Sequence, residues 1–175
     1  NIDLGKLLQD TSIGKITAKV KVKGKGFDVK TAKADYNVHV EEAGYNGYNY
    51  REIDVRGNID NNTYQADLNS ADPNLGIKGN YFLDLNPGQM SFKTNTSISY
   101  VDLRALGLTS DSFDIRADIT ADFPMLDTNG VQGNLLVSDA FINYKSKPVF
   151  IDTMQLEARH NIDTQSVRFT SPLAD

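Results

Sequence analysis

The stretch from Gly14 to Gly24, GKITAKVKVKG, constrains the fold more than any other. Ile16, Ala18, Val20 and Val22 alternate with Lys15, Thr17, Lys19, Lys21 and Lys23. Successive side chains of a strand point to opposite faces, so this is a strand with one apolar and one wetted face. DIRADITADF repeats the pattern with Ile115, Ala117, Ile119, Ala121 and Phe123. ADYNVHVEE sets Tyr36, Val38 and Val40 against Asp35, Asn37 and His39. TYQADLNS and GIKGNYFLDL continue it with Tyr64, Ala66 and Leu68, then Ile77, Tyr81, Leu83 and Leu85. Turn signals (KGKG, EEAGYNG, DNN, ADPN, NPG, KSKP) separate the runs. The expected fold is all-β, with about ten or eleven antiparallel strands, many longer than the usual five or six residues.

The helix signal is short and occurs twice. In DLGKLLQD, Asp3 is a fitting N-cap and Leu4, Leu7 and Leu8 follow at helical spacing. DLRALGLT restates it with Asp102, Leu103 and Leu106. The offset is 102 − 3 = 99, and held without gaps it also places Ile16 on Ile115, Ala18 on Ala117 and Val20 on Ile119. Past one small insertion, ADYNVHV (Ala34 to Val40) falls on DAFINYK (Asp139 to Lys145), and GNIDNNTYQADLNS falls on HNIDTQSVRFTSPL at an offset of 161 − 58 = 103. The reading is one elongated β-domain over 1–175, cut from a longer chain. It holds one repeat over 1–101 and part of a second over 102–175, with a short helical turn at each joint.

Two architectures satisfy this pattern. In a closed sandwich or barrel the apolar faces meet each other, and periodicity alone favours that. A sandwich, however, closes at about a hundred residues, and here the alternation passes from one repeat into the next. A single curled sheet would instead make a trough. Strands of ten to twelve residues span roughly 33–40 Å, and about eleven of them run roughly 50 Å. Its floor would far exceed the few hundred Å² of apolar patch that soluble monomers expose. An acyl chain is a suitable filler. Ile16, Val20, Val22, Val38, Val40, Val55, Leu68, Ile77, Leu83, Ile115, Ile119, Ile142, Leu156 and Phe169 would line such a groove. The abundant tyrosines suit a boundary between oily and wet sides.

Three stretches carry a resemblance to a known family: VRGNIDNNTYQADLNSADPNLGIKGNYFLDL, SYVDLRALGL and the closing VRFTSPLAD. Together they resemble the TamB and AsmA-like envelope proteins, most closely those of Bacteroidetes. The resemblance covers essentially the whole chain and rests on apolar spacing with recurring Gly, Asp and Asn. It implies a long β-groove, or β-taco, with a hydrophobic interior. It also implies a parent protein anchored in the inner membrane of a Gram-negative bacterium, with this segment soluble in the periplasm. The implied activity is conduction of phospholipid or another acyl lipid between inner and outer membrane. The alternative is a scaffold that pairs strands with a BamA-like outer-membrane barrel.

Catalytic chemistry is not expected. The chain has no cysteine and two histidines, His39 and His160. Both are read as surface residues on polar strand phases, without ligand-spaced partners. Glu41 and Glu42 are read as strand-end solvation, and Gly24 and Gly26 as a bend in the sheet. No P-loop, dinucleotide fingerprint or GxSxG is present. Neither a cofactor nor a metal is expected. The net charge of −5 argues against nucleic acid. The lysines clustered between Lys15 and Lys33 are read as the outer face of strands.

Overall fold

The computed structural model describes residues 2–3, 12–26, 31–88, 90–127, 130–161 and 164–172. Its strands are β1 (Ile2–Asp3), β2 (Ile13–Lys25), β3 (Lys33–Tyr45), β4 (Tyr48–Asp60), β5 (Thr63–Asp72) and β6 (Leu75–Asp84). Then come β7 (Ser91–Asp102), β8 (Phe113–Asp127), β9 (Gly130–Tyr144), β10 (Lys147–Asn161) and β11 (Thr164–Thr170). They form one antiparallel sheet in strict chain order. β1 and β11 each pair on one side only, so the sheet is not closed. Sequential antiparallel pairing follows from short connections such as Asn61–Asn62, where both residues take the left-handed conformation that asparagine tolerates (φ 47° and 65°).

Among the described residues the closed core that periodicity alone favours is absent: every substantial contact between strands joins hydrogen-bonded neighbours, and no second layer of these residues packs on the sheet. The accessible surface is 11457 Å², about 3,000 Å² more than a compact monomer of 19.3 kDa exposes. The buried apolar residues are mostly small: Ala117, Ala121, Ala140 and Ala158, with Val101, Ile151 and Leu106.

Bulges bend the long strands. The β2–β3 register shifts at Thr17/Ala18, β6–β7 at Gly76/Ile77, and β7–β8 between Ile98 and Val101. β8–β9 shifts twice, between Arg116 and Asp118 and between Asp122 and Met125. Each extra residue increases local twist and re-aims the side chains beyond it.

The β7–β8 connection corrects the expected helix. Asp102 caps it through Ala105 N–H to Oδ1 (2.8 Å), and Leu106 N–H reaches Asp102 O (3.0 Å). One turn later the stop is already complete. Gly107 N–H donates to Arg104 O (3.0 Å), Leu108 N–H to Leu103 O (2.9 Å), and Gly107 has φ +73°. Both caps are present with no helix between them. The earlier copy, beyond Asp3, lies outside the described residues. The turn buries Leu106 to 1% exposure. It also rests on the β3–β4 turn, where a Cβ on Gly107 would lie 2.8 Å from Asn46 O. β4 and β7 are three strand places apart, roughly 14 Å on a flat sheet, so the connection folds over the sheet's end to reach it.

Candidate functional site

Register gathers the apolar side chains on one face. One row runs Val20, Val38, Val55, Leu68, Gly79, Thr96, Ile119, Val137, Met154, each opposite the next across β2 to β10. A second runs Val22, Tyr36, Gly57, Ala66, Tyr81, Thr94, Ala121, Leu135, Leu156, Phe169 and reaches β11. Val40 and Ile77 belong to a third row with Ile53, Ser70 and Ile98. Leu83 lies between Tyr64 and Phe92, and Ile115 between Val101 and Ile142. Ile16 precedes Ala18 and Val20 on the same side of β2. All fourteen residues expected to line a groove therefore share one face.

That face is covered in the middle and open at the rims. Val38, Val55, Leu68, Ile77 and Ile119 are half-buried, whereas Val20 is 59% and Phe169 58% exposed. The hydroxyls of Thr94, Thr96 and Tyr81 in its middle are paired. Thr94 Oγ1 donates to Asn80 O (2.8 Å) and lies 2.8 Å from Thr96 Oγ1, which bonds the Tyr81 hydroxyl (3.1 Å). Tyr36 lies across Gly57, where side-chain space is absent, and donates to Gln65 O (3.0 Å). Burial, and then the nearby Asp67, hold its hydroxyl pKa above the ordinary tyrosine value. At one end Asp72, 4% exposed, accepts from Tyr48 OH (2.6 Å), Arg51 N–H (2.9 Å) and Asn74 N–H (2.8 Å).

The opposite face is charged. Lys19 pairs with Glu41 (2.5 Å), Lys93 with Asp122 (3.0 Å), and His39 Nδ1 with Asp54 Oδ1 (3.0 Å). Dents of small-molecule size lie on this side. One of about 520 Å³ is walled by Arg116, Asp139, Phe141, Phe150 and Asp152; another of about 510 Å³ is walled by Asp54, Arg56, Asp67, Lys78 and Asn95. The apolar side is a broad surface rather than a pocket, so its extent shows in the registers and not in any cavity. Among the described residues no His, Cys, Asp and Glu group could hold a metal ion. No helix among them is long and apolar enough to cross a membrane.

Two smaller expectations need correction. His160 is not a polar-phase surface residue. It shares the side of Ala158 and packs over Gly130, and its Nδ1 is enclosed without a hydrogen-bond partner. Glu41 and Glu42 lie within β3 at its bulge rather than at the strand end, and Glu42 accepts from Asn49. Tyr100 sits at the β7 bulge and bonds Asp114 (3.3 Å), with Arg116 5.9 Å from its ring. Sequence reasoning also left out Ile53, Ile98, Leu135 and Val137 from the lining. In NLLVS the adjacent Leu135, Leu136 and Val137 hide the alternation, but their register partners show it. The outward aromatic pair Phe141 and Phe150 (centroids 4.8 Å apart) was also missed. No family model, curated protein or solved structure matches this chain.

Proposed function

We propose that this chain is a segment of a lipid conduit of the TamB and AsmA-like kind. In this reading the apolar face is a β-taco groove that shields phospholipid acyl chains crossing the periplasm between inner and outer membrane. The observation that carries the reading is the set of predominantly apolar rows across the sheet, with no second layer over them among the described residues. An apolar floor of this size needs a filler, and each buried methylene contributes about 0.8 kcal/mol. The hydroxyls of Thr94, Thr96 and Tyr81 at the middle of the floor are already paired and make little polar demand on a hydrocarbon guest.

Transport by sliding needs neighbouring positions of similar affinity, which a repeat supplies. The two-repeat reading is supported by registers that recur at an offset of 99. Ile2↔Ile16 corresponds to Val101↔Ile115, Val20↔Val38 to Ile119↔Val137, and Val38↔Val55 to Val137↔Met154. The turn residues Asn46 and Lys145 are also 99 apart, with φ 48° and 51°. The capped turn at Asp102 is then the joint between units.

The test is native mass spectrometry of the purified chain with organic extraction of what it releases, alongside Val38→Asp and Leu83→Asp. Phospholipid on the parent chain, lost from either folded variant, is the expected result. A clean apo mass with no uptake of offered lipid would move the weight to the second reading. That reading is a strand-pairing scaffold for outer-membrane barrel proteins, and the one-sided pairing of β1 and β11 favours it.

A further inference from the structure

The apolar rows change character at one place in the interior of the sheet. On β6 and β7 the two middle rows read Gly79↔Thr96 and Tyr81↔Thr94. Thr96 leans into the side-chain space of Gly79, where a Cβ would lie 2.5 Å from its Oγ1. Thr94 and Thr96 are 8% and 6% exposed, and Tyr81 is half-buried. Three hydroxyls thus form a polar waist in an oily floor. Ile77↔Ile98 and Leu83↔Phe92 bound it, so the floor stays apolar at the waist's margins.

The waist has one proton to give. Thr94 donates its only hydroxyl proton to Asn80 O (2.8 Å). Thr96 Oγ1 lies 2.8 Å from Thr94 Oγ1 and 3.1 Å from the Tyr81 hydroxyl, and it can donate to one of them. When it donates to Tyr81, the Tyr81 proton has no acceptor left in the network. An acceptor arriving from the open face takes that proton, and all three hydroxyls stay hydrogen-bonded. The acyl chains of a lipid carry no acceptor except the ester carbonyls at their roots.

The floors beside the waist have the length of one chain each. Four strands lie on either side among the described residues, β2–β5 and β8–β11. Val38, Val55 and Leu68 mark one floor, and Ile119, Val137 and Met154 the other. Four strands at ~4.8 Å spacing span roughly 14 Å. An acyl chain spans about 15 Å, half the hydrocarbon core of a bilayer.

We infer that the waist seats the ester junction of one two-chain lipid, whose acyl chains run apart, one across each floor. Tyr81 O–H donates to an ester carbonyl, and the headgroup leaves the waist toward water on the open side. This assignment rests on the conduit reading and narrows its cargo to lipids with two chains on one polar junction.

A two-chain ester phospholipid is titrated beside its ether analogue, which has the same chains and headgroup but no ester carbonyls. Native mass spectrometry counts the lipids. One per protein chain is expected, with the ester form bound about threefold to tenfold more tightly, the weight of one hydrogen bond. In Tyr81→Phe that preference disappears while the ether lipid binds as before. The variant keeps the ring and lets Thr96 donate to Thr94, so its urea midpoint stays close to the parent's. Nitroxides on the last carbons of both acyl chains report the splay by pulsed electron spin resonance. Chains running apart hold them roughly 30 Å from each other, two chain lengths. Nitroxides held close together, two ester lipids per protein chain, or an ester preference that is absent or survives Tyr81→Phe overturns the inference and leaves the conduit standing. No binding of either lipid overturns both.

Discussion

Thr94 and Thr96 are 8% and 6% exposed, whereas Thr120, which points to the other face from neighbouring β8, is exposed. Alanine makes the same contrast. Ala121 is 4% exposed, whereas Ala71 on the charged face is open to solvent. The residue type is constant within each pair, so the difference belongs to the face. With no second layer among the described residues, the neighbours on the same face are what enclose these side chains. The apolar side is enclosed by its own large side chains and the charged side is not. One sheet thus has an inside without a partner sheet.

The most severe way to break this comparison is to place one charge on each face. Ala121→Asp leaves an unpaired carboxylate in the enclosed row and should cost about 3–5 kcal/mol. Thr120→Asp, one residue away, should stay within about 0.5 kcal/mol. Urea unfolding of both variants decides, and equal losses would mean that the faces do not differ. Leu106→Ala comes next, at about 2–5 kcal/mol, because the largest fully buried side chain is removed from the turn that folds over the sheet's end. If its midpoint matches the parent's, the turn does not hold that end. Gly107→Ala should cost about 1 kcal/mol or more, because φ +73° disfavours a Cβ and Asn46 O occupies its place.

The smallest effect is on the exposed side. Asp111 Oδ2 accepts from Lys145 Nζ (2.9 Å) and from Tyr144 OH (2.9 Å), in that order of influence, and its carboxyl pKa is held below the ordinary value. A lowered folded-state pKa contributes stability above the ordinary carboxylate range, lost as pH falls through the lowered value. Asp111→Asn should therefore shift the thermal midpoint slightly at neutral pH, and this difference should vanish in strong acid. A difference that persists there would assign the effect to something other than ionisation.

Much of the apolar face was legible because alternation is a property of the chain itself. The fourteen residues from Ile16 to Phe169 that a period of two puts together do share one face. The reading failed where the period breaks. Leu135 and Val137 were hidden beside Leu136, and Glu41 and Glu42 lie at a bulge inside β3 rather than at its end. His160 was misread because its enclosure depends on Gly130, which β9 brings from thirty residues earlier in the chain. The helix signal was genuine in its two caps, but Gly107 ends the turn only five residues after Asp102, which leaves no length for a helix between them.

The sequence by itself determined that the chain forms long antiparallel strands with one apolar and one charged face, because side-chain direction follows from backbone geometry residue by residue. Only the tertiary structure decided that those faces belong to one open sheet rather than to two that meet. Local alternation is the same in both, and the choice depends on which strands find each other as neighbours and on the bulges that bend them.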